Sequence, residues 1–147
     1  MRNKDFFSAK GKLSIVVNDT AGNLKQELNV TNLVVDTGLD YIASRMKDAT
    51  ATAMSHMAIG SGTNDPAAGD TTLQSELGRV ALLSTTVTSN SVEYQATFPA
   101  GTGTGAVTEA GILNASSGGT MLCRTEFAVI NKAAGDSMTI TWTVTVE

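Results

Sequence analysis

The sequence predicts a mainly β protein, an antiparallel β-sandwich or jelly-roll-like barrel carrying one or two short helices. Three observations lead there. Short stretches of strict apolar/polar alternation recur along the chain, above all in the last ten residues. Turn-forming clusters of Gly, Asn, Asp and Ser separate them at short intervals. The charged fraction is only 16%, so Thr, Ser, Ala and Gly must cover much of the surface. The chain has 147 residues, enough for one domain with a real core but not for two.

Residues 1–11 show no clear period and are set apart as an N-terminal arm, with a single β domain over 12–147. Phe6 and Phe7 are adjacent, so at most one points to a given sheet face. They belong either to a frayed end or to an arm packed on a neighbouring subunit.

Lys12 to Val17 reads as a strand with Leu13, Ile15 and Val17 on one face. Asp19 to Asn23 is turn-rich, and Leu24 to Val30 alternates again, giving a hairpin. The period then changes. Thr37 is a candidate N-cap, and Leu39, Ile42, Ala43 and Met46 share one face of a helix expected over residues 38–47. Met57-Ala58-Ile59 reads as a short buried strand leading into the loop Gly60 to Pro66. Asp70 to Leu77 is a second helix candidate, with Leu73 and Leu77 one turn apart.

The remainder reads as β. Arg79 to Ser89 and Val92 to Phe98 are expected to pair, the second with Val92, Tyr94, Ala96 and Phe98 inward. Val107 to Leu113, Met121 to Val129 and Ser137 to Val146 follow. In the last, Met138, Ile140, Trp142, Val144 and Val146 oppose Thr139, Thr141, Thr143 and Thr145. Trp142 is therefore expected to anchor the core.

Composition excludes more than it assigns. The formal net charge is −4, so the dense basic patch of a non-specific nucleic-acid binder is missing. One Cys and one His leave no intrachain disulfide and no Cys/His zinc set. No apolar run is long enough to span a bilayer as a helix. The reading is of a chain without cofactor, metal, nucleic-acid or membrane partner. His56 has no orienting carboxylate nearby in sequence and reads as structural. Gly60-Ser61-Gly62-Thr63 lacks a P-loop lysine and reads as a surface turn. Cys123 reads as a core residue. Glu109 is a lone charge in an apolar strand and needs a partner. Arg79 and Arg124 are the candidates, with Lys132 a further cation, and the pair is expected to be structural.

Several segments together resemble small virion proteins of tailed bacteriophages. They are Asn32-Leu33-Val34-Val35 with Thr37-Gly38, Ile42-Ala43-Ser44-Arg45, and Met57 through Thr63. Leu73 with Glu76-Leu77-Gly78-Arg79 is similar to a "TxLxxELxR" segment of those proteins. Thr108-Glu109-Ala110-Gly111-Ile112-Leu113-Asn114 is similar to the "EAGIF/EIGLF" strand of tail-fibre and tail-collar domains, with Leu113 in place of the commoner Phe. Asn131-Lys132, Gly135-Asp136 and Met138 to Trp142 also fit. The resemblance implies a non-enzymatic structural protein of the virion, assembled in the host bacterial cytoplasm. It also implies partners among copies of itself and other virion proteins. A tail-associated role (fibre, collar or adaptor) is favoured over capsid decoration, and a carbohydrate-binding module is the third reading.

Overall fold

The computed structural model describes residues 8–47 and 52–147. Phe6 and Phe7 lie outside them. Nine strands and one helix are formed among the described residues, in the order β1 (Ala9–Asn18), β2 (Leu24–Val34), α1 (Asp36–Ser44), β3 (His56–Gly60), β4 (Glu76–Ala81), β5 (Ser84–Thr88), β6 (Ser91–Phe98), β7 (Gly105–Leu113), β8 (Met121–Lys132) and β9 (Ser137–Val146). They make one antiparallel sheet ordered β4-β3-β7-β8-β2-β1-β9-β6-β5. The mainly β, antiparallel class read from the sequence is the class observed.

The sheet is curled, and its two halves share a core. β2 pairs with β8 only through Leu33 and Val34, which face Arg124 and Cys123. Along the rest of their length the two strands are not paired, and that split lets the halves fold towards each other. Leu13, Ile15 and Val17 of β1, Phe98 of β6 and Ile140 and Trp142 of β9 meet Met57 and Ile59 of β3 and Ile112 of β7 in one apolar cluster. The outermost strands, β4 and β5, are consecutive in the chain. Only Leu82 and Leu83 separate them, so the backbone itself bridges the two edges of the curl.

β9 lies between the two hairpins β1–β2 and β5–β6. Trp142 is flanked by Leu13 on one side and Tyr94 on the other. It is fully buried, and its indole N–H donates to Asn32 Oδ1 at 3.1 Å. A buried indole needs that acceptor.

Four local expectations are corrected. β1 begins at Ala9, three residues inside the segment set apart as an arm, because Ala9, Lys10 and Gly11 already pair with Val146, Thr145 and Val144. α1 begins at Asp36, with Val35 at the N-cap position and no side-chain cap. Thr37 instead donates its hydroxyl to Met121 O at 2.9 Å, tying the helix to β8. The helix ends at Ser44, so Met46 falls beyond it and is exposed. The second helix does not form: Asp70 to Ser75 is loop, and Glu76 opens β4. Residues 79–89 are not one strand either. Their first part pairs with β3 and their last with β6, at opposite edges of the sheet.

Truncating a buried large aromatic removes both its transfer energy and its packing. Trp142→Ala should therefore cost about 3–5 kcal/mol, lowering the melting temperature by roughly 10 °C or more in a domain of this size. Thermal denaturation followed by far-ultraviolet circular dichroism measures it, and a shift of only a degree or two would contradict the central place of β9.

Candidate functional site

The chemistry of the molecule concentrates on the outer face of β7. β7 and β8 lose regular register between Val107 and Glu109. Val107 and Ala110 both point into the core, and the intervening Thr108 and Glu109 turn away from it. Irregular pairing of this kind re-aims side chains. Glu109 is thereby placed under the loop that joins β3 to β4, where it is fully buried.

A buried carboxylate must be neutralised or saturated with hydrogen bonds. Here it is saturated. Oε2 accepts the backbone N–H groups of Gly62 (2.7 Å) and Ser75 (2.7 Å). Oε1 accepts the N–H of Gln74 (2.9 Å) and both Nε and Nη2 of Arg124 (3.1 and 3.0 Å). These donors fill the acceptor capacity of a carboxylate. Burial pushes the Glu109 pKa up. The N–H groups of Gln74, Ser75 and Gly62, with the Arg124 guanidinium, outweigh it and hold the group below its ordinary value.

Arg124 is almost as deeply buried. Its remaining contacts extend the network: Nη1 donates to Asp70 Oδ2 (3.0 Å) and Nη2 to Asn64 O (3.1 Å). Thr108 donates its hydroxyl to Gly62 O at 2.6 Å. The loop is thus held at both ends of its course, and Gln74 Oε1 closes it by accepting the N–H groups of Thr63 and Asn64.

This geometry explains the glycines of Gly60-Ser61-Gly62. A Cβ on Gly60 would lie 2.3 Å from Ser75 O, and one on Gly62 would lie 2.4 Å from Glu109 Oε2. Both residues are buried, which corrects their reading as a surface turn. The segment does cradle an anion, but that anion is the protein's own carboxylate. It also explains the missing helix. The N–H groups of Gln74 and Ser75 are directed at Glu109, while Leu73 enters a small second core with Val35, Ala58, Leu113 and Met121.

Of the two arginines left open by the sequence, the structure pairs Glu109 with Arg124. Arg79 is elsewhere. It forks onto Glu76 (Nε to Oε2 3.1 Å, Nη2 to Oε1 2.7 Å) and donates through Nη1 to the carbonyls of Ala115 and Gly118. It fastens β4 to the β7–β8 turn. Trp142 belongs to the main core and is not part of the Glu109 cluster. Sequence reasoning passed over Asp70 and Asn64 as Arg124 partners, since nothing in their spacing marks them.

A second polar cluster joins the ends of β8 and β9. Lys132 is buried and donates to Pro99 O (3.0 Å) and Asp136 O (2.7 Å). The Asp136 carboxylate accepts from Lys25 and from the N–H of Ala133. Lys25, the backbone N–H of Ala133 and Lys132 together hold Asp136 below its ordinary pKa. Burial draws Lys132 down against the opposing pull of Asp136. His56 is half-buried, with Nδ1 2.7 Å from Ser55 Oγ. Cys123 lies in the core, and burial raises its thiol pKa. Among the described residues no three His, Cys, Asp or Glu side chains converge as metal ligands would. Against family models, curated proteins and solved structures, the chain matches none.

Removing either partner of a buried pair strands the other. Glu109→Gln should destabilise by about 3–5 kcal/mol, and a double-mutant cycle should show strong coupling to Arg124 and almost none to Arg79. The pH dependence has a definite sign. Because the folded-state pKa is depressed, the contribution of Glu109 is complete above the ordinary carboxylate range and fades as pH falls through the depressed value. The stability gap between wild type and Glu109→Gln should be widest above about pH 5 and narrow in acid. Urea titrations across that range read it, and a gap that widens in acid would overturn the assignment.

Proposed function

We propose that the protein is a non-enzymatic structural subunit of a tailed-bacteriophage particle. In this reading it is tail-associated and acts through assembly with copies of itself and with other particle proteins. The observation that carries the reading is the free edge of β5. All five residues, Ser84 to Thr88, are exposed, and among the described residues the strand has a single neighbour, β6. Leu83 and Val87 are large exposed apolar residues there. No charge occurs from Val80 to Val92.

Edge strands of proteins that stay apart are blunted by lysine, proline or a bulge. This one carries none of them and is built from Thr and Val, which favour strand pairing. Two copies can pair such an edge to itself, since uncharged antiparallel strands meet without repulsion. The Glu109 network supports a scaffold role as well, because its polar groups are spent on holding a loop. Trp142 and Tyr94 face the core, so neither offers a sugar a stacking face.

Two measurements test the proposal. Purified particles from a producing strain should contain peptides of this chain by mass spectrometry, and their absence would refute the virion assignment. Isolated wild-type protein should sediment as an oligomer at high micromolar concentration, and Thr86→Lys should return it to monomer. A monomeric wild type, or an oligomer indifferent to Thr86→Lys, would remove β5 as the assembly edge.

A further inference from the structure

A cavity of about 310 Å³ lies between α1 and the sheet. Ile42, Met54, Val92, Leu122 and Val144 give it aliphatic walls. Sites for small molecules are mostly apolar, with a few placed polar groups. Tyr94 supplies one of them. It lines the cavity and is only 7% accessible, yet its hydroxyl makes no hydrogen bond among the described residues. Nor is that oxygen sealed off. Among the described residues Asn32 Nδ2 is the one closed-in side-chain polar atom without a partner. The Tyr94 hydroxyl therefore meets open space, and the space that Tyr94 borders is the cavity.

A buried phenol hydroxyl ordinarily finds a partner. Burial, with Tyr41 and Cys123 nearby, pushes the Tyr94 pKa above its ordinary value, so the group keeps its proton and has a hydrogen bond to donate. Tyr41 also lines the cavity, and the guanidinium carbon of Arg45 stands 5.7 Å from the centre of its ring. Arg45 is the one charged residue of the described lining, and no carboxylate joins it there. A donor hydroxyl with a cation in the same lining favours an anionic acceptor. Size sets the rest. At about 30 Å³ for a water or a methylene group, the cavity holds about ten non-hydrogen atoms.

From these groups we propose that the cavity binds a small monocarboxylate with an apolar body of about eight carbons, its chain against the aliphatic walls and its carboxylate accepting from the Tyr94 hydroxyl. Arg45 selects the charge, and the walls select the chain. The inference is independent of any role in a particle.

The test titrates octanoate into the full chain, with isotope-labelled Ile, Leu, Val and Met methyls observed by nuclear magnetic resonance. Expected are saturable shifts centred on Ile42, Met54, Val92 and Leu122, with octylammonium binding far more weakly. Tyr94→Phe should weaken octanoate by about tenfold or more, as loss of a hydrogen bond to a charged group does. The same variant should melt no lower than the wild type, since the hydroxyl serves no internal partner. Octylammonium binding as tightly as octanoate, shifts that fail to saturate or that centre elsewhere, or an unaltered affinity in Tyr94→Phe would overturn the proposal. So would a Tyr94→Phe chain that fails to fold, because the hydroxyl would then have an internal role.

Discussion

The structure depends on a buried carboxylate. Glu109 gives up its hydration at a cost of several kcal/mol, which only a nearly complete set of donors can offset. Side chains alone do not supply that set. The backbone of the β3–β4 loop must come to it, and when it does the loop lies across the outer face of β3, β7 and β8. The consequence is geometric. β7 is buried on both faces from Val107 to Leu113, unusual for an antiparallel strand that could leave one face in water. Leu73, carried in by the loop, then closes a second core over Ala58, Leu113 and Met121. The polar anchor and this small apolar cluster are therefore two parts of one arrangement, since the loop that saturates Glu109 also delivers Leu73.

The curl of the sheet puts a second demand on the chain. β2 and β8 part after two residue pairs, and the halves of the sheet diverge on either side of the split. At the far end of the split Lys25 of β2 reaches Asp136 and the carbonyl of Asn131, so an ionic contact spans the gap that the ladder leaves. Opposite the split, the chain passes from β4 to β5 in two residues and joins the outer edges covalently. Leu82 donates its N–H to Ser55 O on one side, and Leu83 donates to Gln95 O on the other. The curl is thus held closed at one seam by an ion pair and at the other by the backbone.

The sequence was most legible where one face of a strand meets water and the other meets the core. β9 shows this best, its Thr residues half-buried and its apolar partners buried from Met138 to Val144. The β1–β2 hairpin and β6 were readable for the same reason. Legibility failed where tertiary demand overrode local pattern. Asp70 to Leu77 has a capping residue and helical spacing, yet Glu109, more than thirty residues away, takes its amides. Residues 79–89 have a continuous β character that hides the crossing at Leu82 and Leu83, because propensity says nothing about which edge a strand joins. The need of Glu109 for a cation could be read from its apolar surroundings. The choice between Arg124 and Arg79 could not, since it rests on β7 and β8 being neighbours, with Arg124 paired opposite Gly111, two residues along from Glu109.

The charged residues are few, and their placement makes the surface poorer in charge than the composition suggests. Of ten Lys and Arg and fourteen Asp and Glu, the chain buries Glu109, Arg124, Lys132 and Asp136. Arg79 is nearly covered as well, its side chain only 9% accessible. These groups fix loops and close the split in the sheet, and so they cannot also serve to keep copies apart in solution. The uncharged run from Val80 to Val92 includes the whole of β5, an outer edge of the sheet. A fold that spends several of its few charges inward, on rigidity, has none to place along that edge.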